Sequence, residues 1–134
     1  MATERATLLP AGHSKPIGRY SPGMAVTFSA GSRLIFVTGQ IATDGAGNVV
    51  CEGDPAGQTR VVFERIEAIL SEAGADLSDL VSLTIYLSDL ANFDAVSRIR
   101  NEIVGSPAPS STLLEVSALA EKGCLVEISG VAAK

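Results

Sequence analysis

Glu127 is the residue whose setting most invites chemistry, because it stands in the apolar run Leu125-Val126-Glu127-Ile128. An ionised carboxylate inside such a strand is costly unless it is paired or wet. Desolvation there would raise its pKa, and a carboxylate tuned in this way can act as a general base on water or shuttle protons. The competing reading is a strand glutamate that faces solvent, and residue type alone favours it. Glu115 carries the same ambiguity. Tyr20 lies in Pro16-Ile17-Gly18-Arg19-Tyr20-Ser21-Pro22-Gly23, where Gly and Pro shape a loop that could close a pocket with a hydroxyl or simply pack. Other chemistries find little support. The only histidine, His13, sits between Gly12 and Ser14 without a nucleophile motif. The Gly45-Ala46-Gly47 stretch lacks the following Lys-Ser/Thr of a phosphate cradle. Cys51 and Cys124 are far apart with no nearby Cys or His, which excludes the usual zinc and redox spacings and leaves two buried or idle thiols.

The elements that must position these groups are legible from periodicity. Residues 33–40 form a short β-branched and aromatic run ending at Gly39-Gln40, which predicts a central strand. Residues 24–29 predict a partner strand, with Ala30-Gly31-Ser32 as the hairpin turn between the two. Asp54-Pro55 marks a helix start, Asp as N-cap and Pro at the first helical position. Val62, Phe63, Ile66, Ile69, Leu70 and Ala73 then recur at helical spacing up to Gly74. Over residues 80–89 the period changes to two, with Val81, Leu83, Ile85 and Leu87 alternating with Ser82, Thr84, Tyr86 and Ser88. A second helix starts near Asn92, carries Phe93, Val96, Ile99 and Ile103 on one face, and ends before Gly105 and Pro107. Strands over 112–117 and 125–131 close the chain. The order predicts an α+β fold with both helices on one face of the sheet. The other face, bearing Thr84, Tyr86, Glu115 and Glu127 with apolar neighbours Leu125 and Val131, is too mixed for a purely solvated surface and suggests an oligomer interface with polar pockets.

Composition narrows the function classes. The 134 residues suffice for one domain, residues 1–134, without disulfides or a structural metal, and the 46% apolar content points to an aliphatic core. Ten basic against fifteen acidic residues, a formal net charge of −5 without a basic run, make phosphate backbones poor partners. No apolar stretch approaches the length of a membrane helix, and Met1-Ala2-Thr3-Glu4-Arg5 has no apolar leader. The expectation is a cytoplasmic protein that engages neither nucleic acid nor membrane.

Four segments, in order and with matching spacing over nearly the whole chain, resemble the RidA/YjgF (reactive intermediate deaminase) family. They are Ile17-Gly18-Arg19-Tyr20-Ser21-Pro22-Gly23, Val37-Thr38-Gly39-Gln40-Ile41, Thr84-Ile85-Tyr86-Leu87-Ser88-Asp89-Leu90, and Pro107 to Val116 followed by Val126-Glu127-Ile128. The resemblance implies a chorismate-mutase-like fold with a mixed sheet, assembled as a homotrimer around a central barrel. Its small-molecule pockets would lie between subunits. It also implies hydrolysis of reactive enamines and imines, such as 2-aminoacrylate, to 2-keto acids and ammonia without metal or cofactor. Carried over residue by residue, Glu127 orients the attacking water as the catalytic group, while Tyr20 and Gly39 help form the substrate site. The family's carboxylate-gripping arginine has no counterpart. Its place, four residues before the Glu of Glu115-Val116, holds Ser111, followed by Thr112. A charge-assisted hydrogen bond contributes roughly 1.5–3 kcal/mol against about 1 for a neutral donor, so the change weakens the expected hold on a carboxylate. Ser111 and Thr112 could instead bond a less charged ligand, and Arg19 could supply a replacement charge.

Three readings follow. The first is an imine/enamine hydrolase using Glu127, with Tyr20, Gly39, Ser111 and Thr112 around the substrate. The second is a ligand-binding or interaction protein on the same trimeric scaffold, which the missing arginine favours. The third, endoribonuclease activity, meets the acidic balance and the lack of a basic, aromatic-rich strip.

Overall fold

The computed structural model describes residues 4–134; Met1, Ala2 and Thr3, part of the N-terminal stretch considered above, lie outside the described residues. Its main sheet has four strands, β3 (Leu34–Gln40), β4 (Leu80–Leu87), β5 (Ser110–Glu115) and β6 (Val126–Ala133), in the order β3-β6-β4-β5. β6 runs antiparallel to both its neighbours, whereas β4 and β5 are parallel, so the sheet is mixed. A parallel pair needs a crossover, and helix α2 (Phe93–Ile103) provides it between β4 and β5. Helix α1 (Pro55–Glu72) connects β3 to β4. The fold is α+β, with α1 and α2 layered on one face.

Local chemistry explains where the helices begin and end. Asp54 caps α1, its Oδ1 accepting from the Gly57 N–H at 2.9 Å, and Pro55 opens the first turn. At the other end Gly74 adopts φ +70°, which lets its N–H reach the Ser71 carbonyl and the Ala75 N–H reach the Leu70 carbonyl. The apolar stripe of α1, Val62, Phe63, Ile66 and Leu70, is buried against Leu83, Ile85 and Leu87 of β4 and Val126 and Ile128 of β6. Ile69, at the edge of that stripe, is exposed. On the sheet's outer face Thr84 pairs with Ser129 and Tyr86 with Glu127, all half-buried, and Phe36 opposite Val131 is 72% exposed.

Two expectations need correction. The segment over 24–29 does contain a strand, β2 (Gly23–Thr27), but it pairs antiparallel with β1 (Glu4–Leu8) rather than with β3. The turn before β3 forms, with the Ser32 N–H on the Ser29 carbonyl and Gly31 at φ +86°, yet the strands on its two sides belong to different sheets. β1 escaped notice because four of its five residues are exposed, leaving no alternating apolar face to read. Glu115, assigned above to the outer face, stands in register with core-facing Leu87, and its carboxylate accepts from the Leu90 N–H at 2.7 Å. It closes the turn into α2.

Candidate functional site

The residues singled out by sequence fall into two groups on opposite faces of the sheet. On the outer face, β3 carries a bulge. Val37 pairs with Gly130 and Gln40 with Ile128, so three steps along β3 match two along β6. Gly39 lies in the bulge directly beneath the Glu127 side chain: a Cβ added there would overlap Oε2 and lie 2.9 Å from Cδ. Glycine is therefore what permits the carboxylate to lie against the strand backbone. Side chains on the helix side hold the bulge in place. The Gln40 Nε2 donates to the Thr38 carbonyl at 2.9 Å, and Arg65 donates from Nε to Gln40 Oε1 at 3.1 Å and from Nη1 to the Thr43 carbonyl at 3.3 Å. Gln58, fully buried in α1, fixes the entry to β6. Its Oε1 accepts from the Leu125 N–H at 2.8 Å, and its Nε2 donates to the carbonyls of Val50 and Gly123. Glu127 itself is half-buried, and among the described residues no hydrogen bond or ion pair engages its carboxylate.

The second group lies on the helix side, at the β5 edge. The loop before β2 is pinned to β5 by the Ser21 N–H on the Pro109 carbonyl at 2.9 Å, by the Ser21 hydroxyl on the Ala108 carbonyl, and by a bridge between Ser21 and Ser110. This places Tyr20 over the end of α2. Between them is a cavity of about 220 Å³, lined by Ile17, Gly18, Tyr20 and Ser111 together with Phe93, Ser97, Arg100, Asn101 and Leu113. Ser111 faces this cavity because its register partner is core-facing Leu83. Thr112, next in the strand and paired with Thr84, has the opposite parity and is exposed. Tyr20 and Ser111 are thus brought together, as are Gly39 and Glu127, and Thr112 joins neither pair's cavity.

Arg100 is a cavity residue that sequence reading missed. It is 4% exposed, and its guanidinium lies 5.4 Å from the centroid of the Tyr20 ring. Nη1 donates to Ser111 Oγ at 3.3 Å, while Nε and Nη2 donate to Asn101 Oδ1 at 3.3 and 3.2 Å. Burial pushes its pKa below the usual guanidinium value, partly offset by Tyr20. One signal was available: Arg100 is four residues after Val96, on the apolar stripe of α2. Arg19, considered above as a replacement charge, is exposed, with Nη1 3.5 Å from the Val104 carbonyl.

The remaining candidates are peripheral. His13 is exposed in its loop. Cys124 is buried, its thiol pKa raised by desolvation and by the negative charges of Glu121 and Glu127, whereas Cys51 is exposed. Among the described residues no three His, Cys, Asp or Glu side chains cluster as metal ligands, and no helix is long and apolar enough to cross a membrane.

Comparison with known proteins agrees with this architecture. Residues 12–134 match the family model described as Endoribonuclease L-PSP. A RutC family protein of Pyrococcus abyssi is 41% identical over 120 residues, covering 90% of each chain, and protein DfrA of Myxococcus xanthus is 36% identical over 118 residues, covering 88% of this chain and 87% of its own. Among solved structures, YyfB of the conserved Rid protein family from Yersinia pestis superposes with a TM-score of 0.82 at 26% identity, covering 97% of this chain and 98% of that one. RidA from the Antarctic bacterium Psychrobacter sp. gives 0.69 at 26% identity, covering 95% and 98%. A match over nearly the full length, by sequence and by fold, places the chain in the Endoribonuclease L-PSP family, which is the RidA/YjgF family that its motifs resemble.

Proposed function

We propose that the protein is an enamine/imine deaminase, hydrolysing reactive 2-imino or 2-enamino acids to 2-keto acids and ammonia. The observation that carries this reading is the unpartnered Glu127 carboxylate held against the Gly39 backbone. In the reaction, Glu127 takes a proton from water as the water oxygen bonds to the carbon of the protonated imine and the C=N electron pair moves to nitrogen, giving a neutral carbinolamine. Glu127 returns that proton to nitrogen; as the C–N bond breaks, the hydroxyl oxygen becomes the keto oxygen and gives its proton to the Glu127 carboxylate, which passes it to the departing ammonia. Proton transfer of this kind contributes roughly 10²–10⁴-fold to rate.

Within one chain Glu127 and the Tyr20–Ser111 cavity are on opposite sides of the sheet, so the complete site requires a second copy. A homotrimer that buries the outer face, with its exposed Phe36, supplies that copy and brings one subunit's Glu127 to a neighbour's cavity. The acidic balance supports a small-molecule ligand over nucleic acid, and a cytoplasmic setting suits substrates released by other enzymes. A second reading, a ligand-binding protein without hydrolysis, is favoured by Ser111 where the family carries an arginine.

The two readings separate on freshly generated 2-aminoacrylate and longer imino acids. A deaminase releases ammonia and keto acid well above the spontaneous rate, in proportion to protein concentration. A rate equal to the spontaneous one, with the ligand still bound, would establish the second reading.

A further inference from the structure

We infer that Arg100, delivered from α2, makes the Tyr20–Ser111 cavity a binding site for the carboxylate of a small monoanion. The argument starts from the cost of the residue. A guanidinium remains charged at neutral pH even when burial lowers its pKa, and a charge removed from water needs a counter-charge or a full set of strong hydrogen bonds. Arg100 is 4% exposed and has neither. Among the described residues no carboxylate pairs with it and no backbone carbonyl accepts from it. Its three hydrogen bonds, at 3.2–3.3 Å, are at the long end of the normal range, and two of them converge on the same Asn101 oxygen. That oxygen also accepts the Arg19 N–H at 2.9 Å, so it is heavily shared.

The surroundings keep the guanidinium aimed at the cavity. Tyr20 covers one face of it, and Gly18 allows the loop to approach so closely that a Cβ there would lie 2.6 Å from Nη2. Five N–H groups in a planar fork match a carboxylate, and three bonds leave two donors unused. In the rest of the lining Ile17, Phe93 and Leu113 are apolar and suit a short aliphatic tail, and the Ser97 hydroxyl is taken up by the Phe93 carbonyl at 2.8 Å. One cation neutralises one negative charge, so the site fits a monocarboxylate better than phosphate. The inference deepens the proposed function, on which it rests for the ligand being a 2-imino or 2-keto acid. The charge that Ser111 lacks on β5 would come from the neighbouring helix.

Calorimetric titration of the intact protein with 2-oxobutanoate tests this without turnover. Saturable binding is expected. It should weaken at least tenfold in Arg100→Gln and less in Arg100→Lys, which keeps the charge but loses the fork. Butanone, the same ketone chain without a carboxylate, should not bind. Gly18→Ala should also weaken binding by displacing the guanidinium without deleting it, so the test survives if Arg100→Gln folds poorly. Unchanged affinity in a folded Arg100→Gln, or inorganic phosphate binding as tightly as 2-oxobutanoate, would overturn the inference. Arginine-dependent binding without any wild-type turnover would sustain it and remove the hydrolase reading instead.

Discussion

Glu127→Gln is expected to lower kcat for imine hydrolysis by about 10²–10⁴-fold while leaving the fold unchanged. The substitution preserves shape and removes the negative charge and with it the ability to accept a proton. Because no ion pair engages the carboxylate among the described residues, replacing it breaks no salt bridge. The unfolding free energy should therefore change by no more than about 0.5 kcal/mol, as is typical of substitutions away from structural features, and the thermal midpoint should barely move. A steady-state assay beside a melting curve separates the two effects: a rate loss with an unmoved midpoint assigns Glu127 to chemistry. A fully active variant would assign the proton transfer elsewhere.

The largest loss of stability is expected from Ile85→Ala. Ile85 is fully buried in β4, which is flanked by β6 and β5, and it belongs to the same core cluster as α1 residues Phe63 and Ile66. Truncating a buried isoleucine removes its transfer energy and leaves a cavity that close packing relieves only in part, at a cost of roughly 2–5 kcal/mol. Against a total of about 5–15 kcal/mol for a typical domain, that is a large fraction. Urea titration should show the midpoint fall with little change in slope. A shift under 0.5 kcal/mol would mean that β4 is not the centre of the core.

What could be read in advance, and what could not, follows from whether the signal is local. Asp54-Pro55, Gly74 and the strict alternation from Val81 to Leu87 act through neighbours in sequence, and the helix and strand appear where they predict. The pairing of β1 with β2 joins residues as distant as Glu4 and Thr27 and leaves no buried alternation in β1, so nothing local announced it. The site residues could be named by resemblance, yet their division between two faces depends on strand register. The bulge between Val37 and Gln40, and the pairing of Ser111 with Leu83, set that register. Reading β5 without register also misplaced Glu115. Arg100 was hidden for another reason: a single arginine on an apolar helical stripe normally extends its head to water, and only the cavity and the close approach of Gly18 show that this one does not.

The claim on which the account depends is that Glu127 of one copy serves the Arg100 cavity of another. Glu127→Gln and Arg100→Gln proteins, each deficient alone, should be unfolded together, refolded as hybrids and assayed for ammonia release from 2-aminoacrylate. Random mixing puts an intact Glu127 beside an intact Arg100 at about one interface in four, so activity should return towards a quarter of the wild-type level. Hybrids of verified composition that gain nothing over the two parents would contradict a site shared between subunits.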